Sequence, residues 1–411
     1  MRTRQRFRAA VVALPLLLAV AGCQSGAGKA GGSEGEATST ATSPSRPSVF
    51  DVPVPKQPAA AGDALADSGT AAFTTTVTYT TAGGRAVERT TGVLDWKQDA
   101  ARAERVVQVP TGFPAAVADE LDLTPGRYHY AVEGNEVAYR RQGGTWLRYA
   151  ASDPKEFADS TAAVLGLAGD AAPWGRTLAE VLKVSFAVED REVPGGGHRY
   201  RTQVDGLTAE SVLPPAVVGY ASGWGPTQTV VVDLDRQGRL VRAEADYGKL
   251  LVELHGKGAL RGLTGLRVEL ALTGHGRPVT ALVPATERFE AARTVLTLVD
   301  EVEPGDCAST DTGLGHVGVV RVVPCGSGAD LRVFGQRPVD EVIRDAGREV
   351  RARRLAAERC GRDFRAAPAA WTAGARPAGA YRVSGDERFE FVSTGAGTTV
   401  QGHFTCYVTL R

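Results

Sequence analysis

Residues 128–149 read YHYAVEGNEVAYRRQGGTWLRY. Three short runs, Tyr128 to Val132, Glu136 to Arg140 and Trp146 to Tyr149, are rich in aromatic and β-branched residues. Between them stand Glu133-Gly134-Asn135 and Gly143-Gly144. Gly and Asn tolerate the positive φ of tight hairpins, so the stretch is predicted as three antiparallel strands.

The pattern extends in both directions. Upstream, Ala60 to Ala72 is expected to be an opening helix. Phe73, Val77 and Tyr79 then alternate with Thr74, Thr76 and Thr78, the period of a half-buried strand. After the turn Ala82-Gly83-Gly84-Arg85, a second strand holds Val93, Leu94 and Trp96, and a third runs from Arg105 to Val109. Downstream, Asp153-Pro154 is a helix start, with an N-cap and then Pro at the first helical position. Leu178, Val181, Leu182 and Ser185 recur at helical spacing. Strands resume at Phe186–Val193 and His198–Val204. Thr229–Leu234 and Leu240–Asp246 flank Asp235-Arg236-Gln237-Gly238-Arg239 as a hairpin, and Leu250–His255 and Leu266–Thr273 are read as further strands. One large antiparallel sheet with helices mid-chain is the economical arrangement, an α+β fold.

The order of opening helix, meander, helices and the late hairpin VVVDLDRQGRLVRAEADY (230–247), with Tyr139-Arg140-Arg141-Gln142-Gly143-Gly144-Thr145-Trp146, resembles the LolA-like lipoprotein-carrier superfamily over about 60–285. It looks closest to the actinobacterial LppX and LprG branch. The resemblance implies a strongly curved sheet, a half-open barrel, closed by short helices around an apolar cavity that holds acyl chains. Phe73, Val77, Tyr79, Leu94, Trp96, Tyr128, Tyr130, Val137, Tyr139 and Trp146 are the candidate cavity wall. A solid core requires the same alternation, so the sequence leaves packed and lipid-filled interiors both open.

Beyond residue 298 the character changes. Cys307, Cys325, Cys360 and Cys406 all lie there, and the residues 59–290 hold no cysteine. An even number in an exported chain implies two disulfides. Of the three pairings, the sequence-local one, Cys307–Cys325 and Cys360–Cys406, is expected. Zinc is the competitor, but there is no CxxC knuckle, and His316 and His403 lack ligand spacing. Pro304-Gly305-Asp306-Cys307, Val322-Val323-Pro324-Cys325, a helix over Glu341–Glu358 delivering Cys360, Trp371-Thr372-Ala373-Gly374 and a last strand His403–Val408 resemble the actinobacterial septum-formation domain over about 298–411. Gly328-Ala329 stand where that family usually has Pro-His. The resemblance implies a smaller disulfide-stapled α+β domain at the cell surface, and no reaction.

The N-terminus reads as an address. Arg2, Arg4, Arg6 and Arg8 precede the apolar run Ala9–Val20, too short for the ~20 residues of a spanning helix. Val20-Ala21-Gly22-Cys23 resembles the bacterial lipobox, which implies cleavage of residues 1–22 and acylation of Cys23 with diacylglycerol, then a palmitate-type chain. Such a double anchor is stable where one chain is not. Residues 24–58 are Gly, Ser, Thr, Ala and Pro with few large apolar residues, a flexible tether of ~30–35 Å at ~5–6 Å × √n.

The full chain carries 47 basic and 47 acidic side chains. Loss of four arginines with residues 1–22 leaves 43 against 47, a net −4. That balance gives no footprint for nucleic acid. No phosphate loop or HExxH occurs. Gly313–Gly318 matches GxGxxG but precedes a strand, so a dinucleotide site is not expected. Asp119 and Glu120 read as a solvated turn. The expectation is a non-enzymatic lipoprotein without metal or cofactor, anchored on the extracytoplasmic face of the cell membrane and binding a lipid or acyl chain. The alternative is an envelope interaction protein with no small-molecule ligand that docks a cell-surface or division partner.

Overall fold

The computed structural model describes residues 48–410, apart from 99, 122, 135, 151, 154–181, 184, 206–212, 219, 221–226, 279–287, 313–317, 344–347, 377, 385–389 and 395–396. The signal segment, Cys23 and most of the tether lie outside the described residues, as do Gly313–Val317 and most of the two helices expected after Asp153. Leu182 and Lys183, from the second of those helices, are helical.

The chain from Pro47 onward makes one compact unit. Its first sheet has strands β1 (Thr70–Thr81), β2 (Gly84–Asp95), β3 (Ala100–Gln108), β4 (Gly126–Glu133), β5 (Glu136–Arg141), β6 (Trp146–Ala150), β7 (Phe186–Val193), β8 (Gly197–Val204), β9 (Gln228–Leu234), β10 (Leu240–Asp246), β11 (Gly265–Thr273) and β12 (Phe289–Ala291). Two meanders, β1–β6 and β7–β11, lie side by side and join where β1 pairs β11, with Val77 opposite Val268. The short β12 runs parallel to β6, so the sheet is mixed at that margin. Among the described residues β7 and β12 are the two edges, and the sheet does not close on itself.

The sequence of β1, TAAFTTTVTYTT, shows why it sits at the centre of this sheet. Thr, Val, Phe and Tyr suit a pleated, half-buried surface, and burial alternates residue by residue along it. Its odd-numbered apolar residues face one large core shared with Leu94, Ala103, Val132, Val230, Val232 and Leu270.

Several expectations need correction. The opening helix spans Gln57–Ser68, and Gly69 at φ 83° turns the chain, so Thr70–Ala72 begin β1 instead of ending the helix. Leu250–His255 is no strand but part of a helix, Gly248–Gly256. A strand would have put Leu250, Val252 and Leu254 on one face. Here Leu250, Leu251 and Leu254 are buried and Val252 is 73% exposed, the stripe of a helix. Part of the stretch expected as tether belongs to the fold: Ser48 caps a short turn, and Val49 is buried in the core.

The second sheet contains β13 (Thr297–Leu298), β14 (Cys307–Ser309), β15 (Val319–Val323), β16 (Leu331–Ile343), β17 (Arg382–Ser384), β18 (Glu390–Thr394) and β19 (Gly397–Thr409). Its order is β13-β15-β14-β16-β19-β17, with β18 also paired to β19. The helix expected over Glu341–Glu358 spans Arg348–Ala366 instead. Pairing of β16 with β19 runs on to Ile343 opposite Thr398, and those backbone bonds hold Glu341–Ile343 in the sheet. Disulfides join Cys307 to Cys325 and Cys360 to Cys406. The second ties the helix to β19 beside Phe334, Val339 and Phe404.

Candidate functional site

The inner face of the first sheet gathers most of the sequence-predicted wall. Cross-strand pairs carry one parity from strand to strand: Tyr79 opposite Leu266, Val77 opposite Glu88, Arg105 opposite Tyr128, Tyr130 opposite Tyr139. Phe73, Val77, Tyr79, Leu94, Tyr128, Tyr130, Val137 and Tyr139 all enter the one core cluster. Trp96, one residue past β2, packs against its margin with the indole N–H buried and unpartnered.

Trp146 belongs elsewhere. Its neighbour Leu147 pairs with Tyr139 and points inward, so Trp146 points to the outer face. There it packs with Ala131, Ala138 and Phe289, at 6.0 Å between the two ring centroids, and the Arg140 guanidinium lies 4.7 Å from its ring. The inward parity of β6 instead supplies Leu147 and Tyr149, which the sequence reading did not select.

The inner face is not purely apolar. A row of polar side chains crosses it from β1 to β6. Tyr79 Oη donates to Glu88 Oε1 at 2.7 Å, and Arg105 Nε donates to Glu88 Oε2 at 2.6 Å. Tyr130 lies beside Arg105 as well. Next to it, Tyr128 has Arg105 at 5.8 Å and Arg141 at 5.9 Å from its ring, both within cation–π reach, and its hydroxyl donates to the Thr124 carbonyl at 2.9 Å.

The row ends on a loop from the second sheet. Tyr139 Oη donates to Asp311 Oδ1 at 2.6 Å, and Tyr149 Oη donates to the Thr312 carbonyl. Thr312 is fully buried. Thus the loop after β14 reaches onto the inner face between two tyrosines.

Electrostatics follow from this packing. Burial, then the Glu88 charge, pushes the Tyr79 hydroxyl well above its ordinary range. Burial, then the Asp311 carboxylate, does the same to Tyr139. Burial moves Tyr128 up to about 12 even though Arg141 and Arg105 pull it down. Burial opposes the charge on Arg105, but Glu88, with Tyr130 and Tyr79, outweighs it and the guanidinium pKa is raised. At neutral pH the tyrosines are therefore protonated, Tyr79 and Tyr139 donating to carboxylates and Tyr128 lying beside Arg105 and Arg141.

Other sequence candidates do not converge. Asp119 reaches Arg382 at 3.2 Å, whereas Glu120 accepts from the Leu260 amide at 2.8 Å, so the two carboxylates serve different contacts. His198 pairs with Asp190, and His255 with the Leu260 carbonyl. Among the described residues no group of His, Cys, Asp and Glu is gathered as a metal site. A surface cleft of about 460 Å³ lies between the turn at Pro194-Gly195 and the hairpin Asp235–Arg239, on the β7–β11 half of the strand order and not the β1–β6 half that carries the tyrosine row.

Sequence reading missed Glu88, Arg105 and Asp311. The first two had a signal: they carry opposite charge at inward parity on adjacent strands. Asp311 had none, since its place depends on how the second sheet sits against the first.

No family model matches the chain, and no curated protein matches it. Solved structures with distant likeness include the Mycobacterium tuberculosis lipoprotein LppX, at 11% identity and TM-score 0.27, covering 54% of this chain and 97% of that one. A DUF1329 family protein from Desulfovibrio piger shows 9% identity and TM-score 0.23 over 55% of this chain and 93% of the other. Pseudomonas aeruginosa MucB, in its complex with MucA, shows 10% identity and TM-score 0.24 over 85% and 93%.

Proposed function

We propose that this chain is a non-catalytic extracytoplasmic lipoprotein, held on the membrane by acyl chains on Cys23, that receives an acyl chain of a lipid on the inner face of its first sheet. The observation that carries the reading is the inner face itself. It extends from Leu147 and Tyr149 on β6, through Tyr79 and Val77, to Val232 on β9 and Tyr200 on β8, is dominated by buried aromatic and branched apolar side chains, and has the Glu88–Arg105 pair set within it. An apolar inner face of this extent, on a sheet that does not close on itself among the described residues, supports the carrier reading. The carrier portion spans about 59–290, and the disulfide module, about 298–411, resembles a septum-formation domain and docks an envelope partner.

The test is native mass spectrometry of the full chain exported as its Cys23→Ser variant, followed by lipid extraction. A co-purifying lipid at one per chain supports the carrier. A clean apo mass, with no uptake of offered phospholipid or fluorescent fatty acid, overturns it in favour of an interaction protein without a small-molecule ligand. The same variant should leave the membrane fraction; continued membrane attachment would remove the lipid-anchor assignment.

A further inference from the structure

We propose that the Cys307–Cys325 disulfide is a thiol-exchange site, at which a small external thiol attacks Cys325 Sγ, stays there as a mixed disulfide, and releases Cys307 as a thiolate held by Arg332. The proposal does not depend on the carrier reading.

Three observations carry it. The first is unequal access to the two sulfurs. Cys325 lies in the turn Pro324-Cys325-Gly326-Ser327-Gly328, every residue of which is exposed. Its partner Cys307, at the start of β14, is only 1% exposed. An incoming thiolate therefore reaches one end of this bond and not the other.

The second is a cation placed on the leaving sulfur. β14 pairs antiparallel with β16, and the register sets Arg332 directly opposite Cys307. Residues opposite one another across a strand pair share a face. The guanidinium accordingly meets the sulfur, with Arg332 Nε 3.0 Å from Cys307 Sγ. Its Nη1 donates to the Ala370 carbonyl. Both partners are uncharged, and among the described residues no carboxylate pairs with Arg332. Its charge is thus open to an anion that forms on Cys307. A neighbouring guanidinium stabilises a thiolate, and a better-stabilised thiolate leaves faster.

The third is a contrast within the same module. Cys360 and Cys406 are both fully buried, among Phe334, Val339, Ala356 and Phe404. That bond offers no exposed sulfur, and among the described residues no guanidinium donates to either end of it. The asymmetry belongs to Cys307–Cys325 alone.

The step balances without an oxidant. The thiol loses its proton to water. Its sulfur then forms a bond to Cys325 Sγ as the Cys307–Cys325 bond breaks, and the electron pair of the broken bond leaves on Cys307 Sγ beside Arg332. Return attack by Cys307 on Cys325 expels the thiol and restores the disulfide.

The experiment treats the full chain carrying Cys23→Ser, whose four remaining cysteines are all paired, with excess 2-mercaptoethanol. Acid and N-ethylmaleimide trap the early products for peptide mapping. The expected product carries mercaptoethanol on Cys325 and maleimide on Cys307, with Cys360–Cys406 intact. Mercaptoethanol found on Cys307 first, or equally on both sulfurs, overturns the proposal, and this map needs no further variant. Arg332→Gln is expected to slow the exchange about fivefold, and Arg332→Lys to stay within about twofold of the parent. Tris(hydroxypropyl)phosphine, an uncharged nucleophile, should be slowed by Arg332→Gln to the same extent. An unchanged rate in Arg332→Gln overturns the proposal. So does slowing seen with the thiolate but not with the phosphine, because Arg332 would then act by attracting the incoming anion and not by holding the leaving one.

Discussion

Glu88 and Arg105, on the adjacent strands β2 and β3, hold each other on the inner face, with Arg105 Nε 2.6 Å from Glu88 Oε2 and Tyr79 donating to the other carboxylate oxygen. Their side chains are only 9% and 16% exposed. A desolvated pair of this kind is costly to break and cheap to replace. Glu88→Leu leaves Arg105 buried without its counter-charge and is expected to cost about 3–5 kcal/mol in urea unfolding. Glu88→Leu with Arg105→Met removes both charges and is expected to recover most of that loss. A single-variant cost below about 1 kcal/mol would mean that water reaches the pair.

The helix Gly248–Gly256 yields a sharp contrast between adjacent residues. Leu251 is buried against β11 and its neighbours, and Val252 beside it is 73% exposed. Leu251→Ala is expected to cost about 2–5 kcal/mol, and Val252→Lys within about 0.5 kcal/mol of nothing. A strand here would reverse the two effects, because Val252 would then share a face with Leu250 and Leu254. Thermal unfolding of the two variants is enough to decide it.

That segment also shows where the sequence was legible. The strands of both meanders are visible in the sequence because runs of five to twelve residues, rich in aromatic and β-branched side chains, are separated by Gly-rich turns, as in Tyr128–Tyr149. Gly248–Gly256 was misread because nine residues hold three leucines and a valine, which fit either period until burial is known. Trp146 was misplaced for a related reason. It starts a five-residue strand, where both Trp146-Arg148 and Leu147-Tyr149 offer a plausible inner face. Most of the aromatic wall was legible from alternation. The ion pair within it and the Asp311 contact depend on register and on a separate module, which local pattern does not encode.

His275 predicts how stability depends on pH. Burial, then the nearby positive charge of Arg239, holds its pKa below the ordinary value of 6.5. In the unfolded chain the ring takes up a proton near pH 6.5, and in the folded chain only at lower pH. The unfolded state therefore binds more protons in that window. His275 contributes stability that is present above about pH 6.5 and is lost as pH falls through the folded value. His129, lowered by burial and by Arg140, acts in the same direction. Urea midpoints should fall between pH 7.5 and pH 5, and His275→Gln should flatten that slope. An unchanged slope in the variant would remove His275 as a contributor.

The two disulfides differ in access and in what they hold. Cys360 and Cys406 are fully buried, joining the helix Arg348–Ala366 to β19 across 46 residues of sequence. Cys325 is exposed, and its bond to Cys307 spans 18 residues. In the loop-entropy account the bonds contribute roughly 4 and roughly 3 kcal/mol. Thiol attack needs access, so a mild reductant is expected to open Cys307–Cys325 first. Alkylation followed by peptide mapping should label Cys307 and Cys325 before Cys360 and Cys406. Opening that bond frees β14, the root of the loop that carries Asp311. Hydrogen exchange at Ser309–Thr312 should then rise while the core of β16 and β19 stays protected. Simultaneous labelling of all four cysteines would mean that the second sheet opens as one unit, and the loop could not then be loosened separately from the fold that presents it.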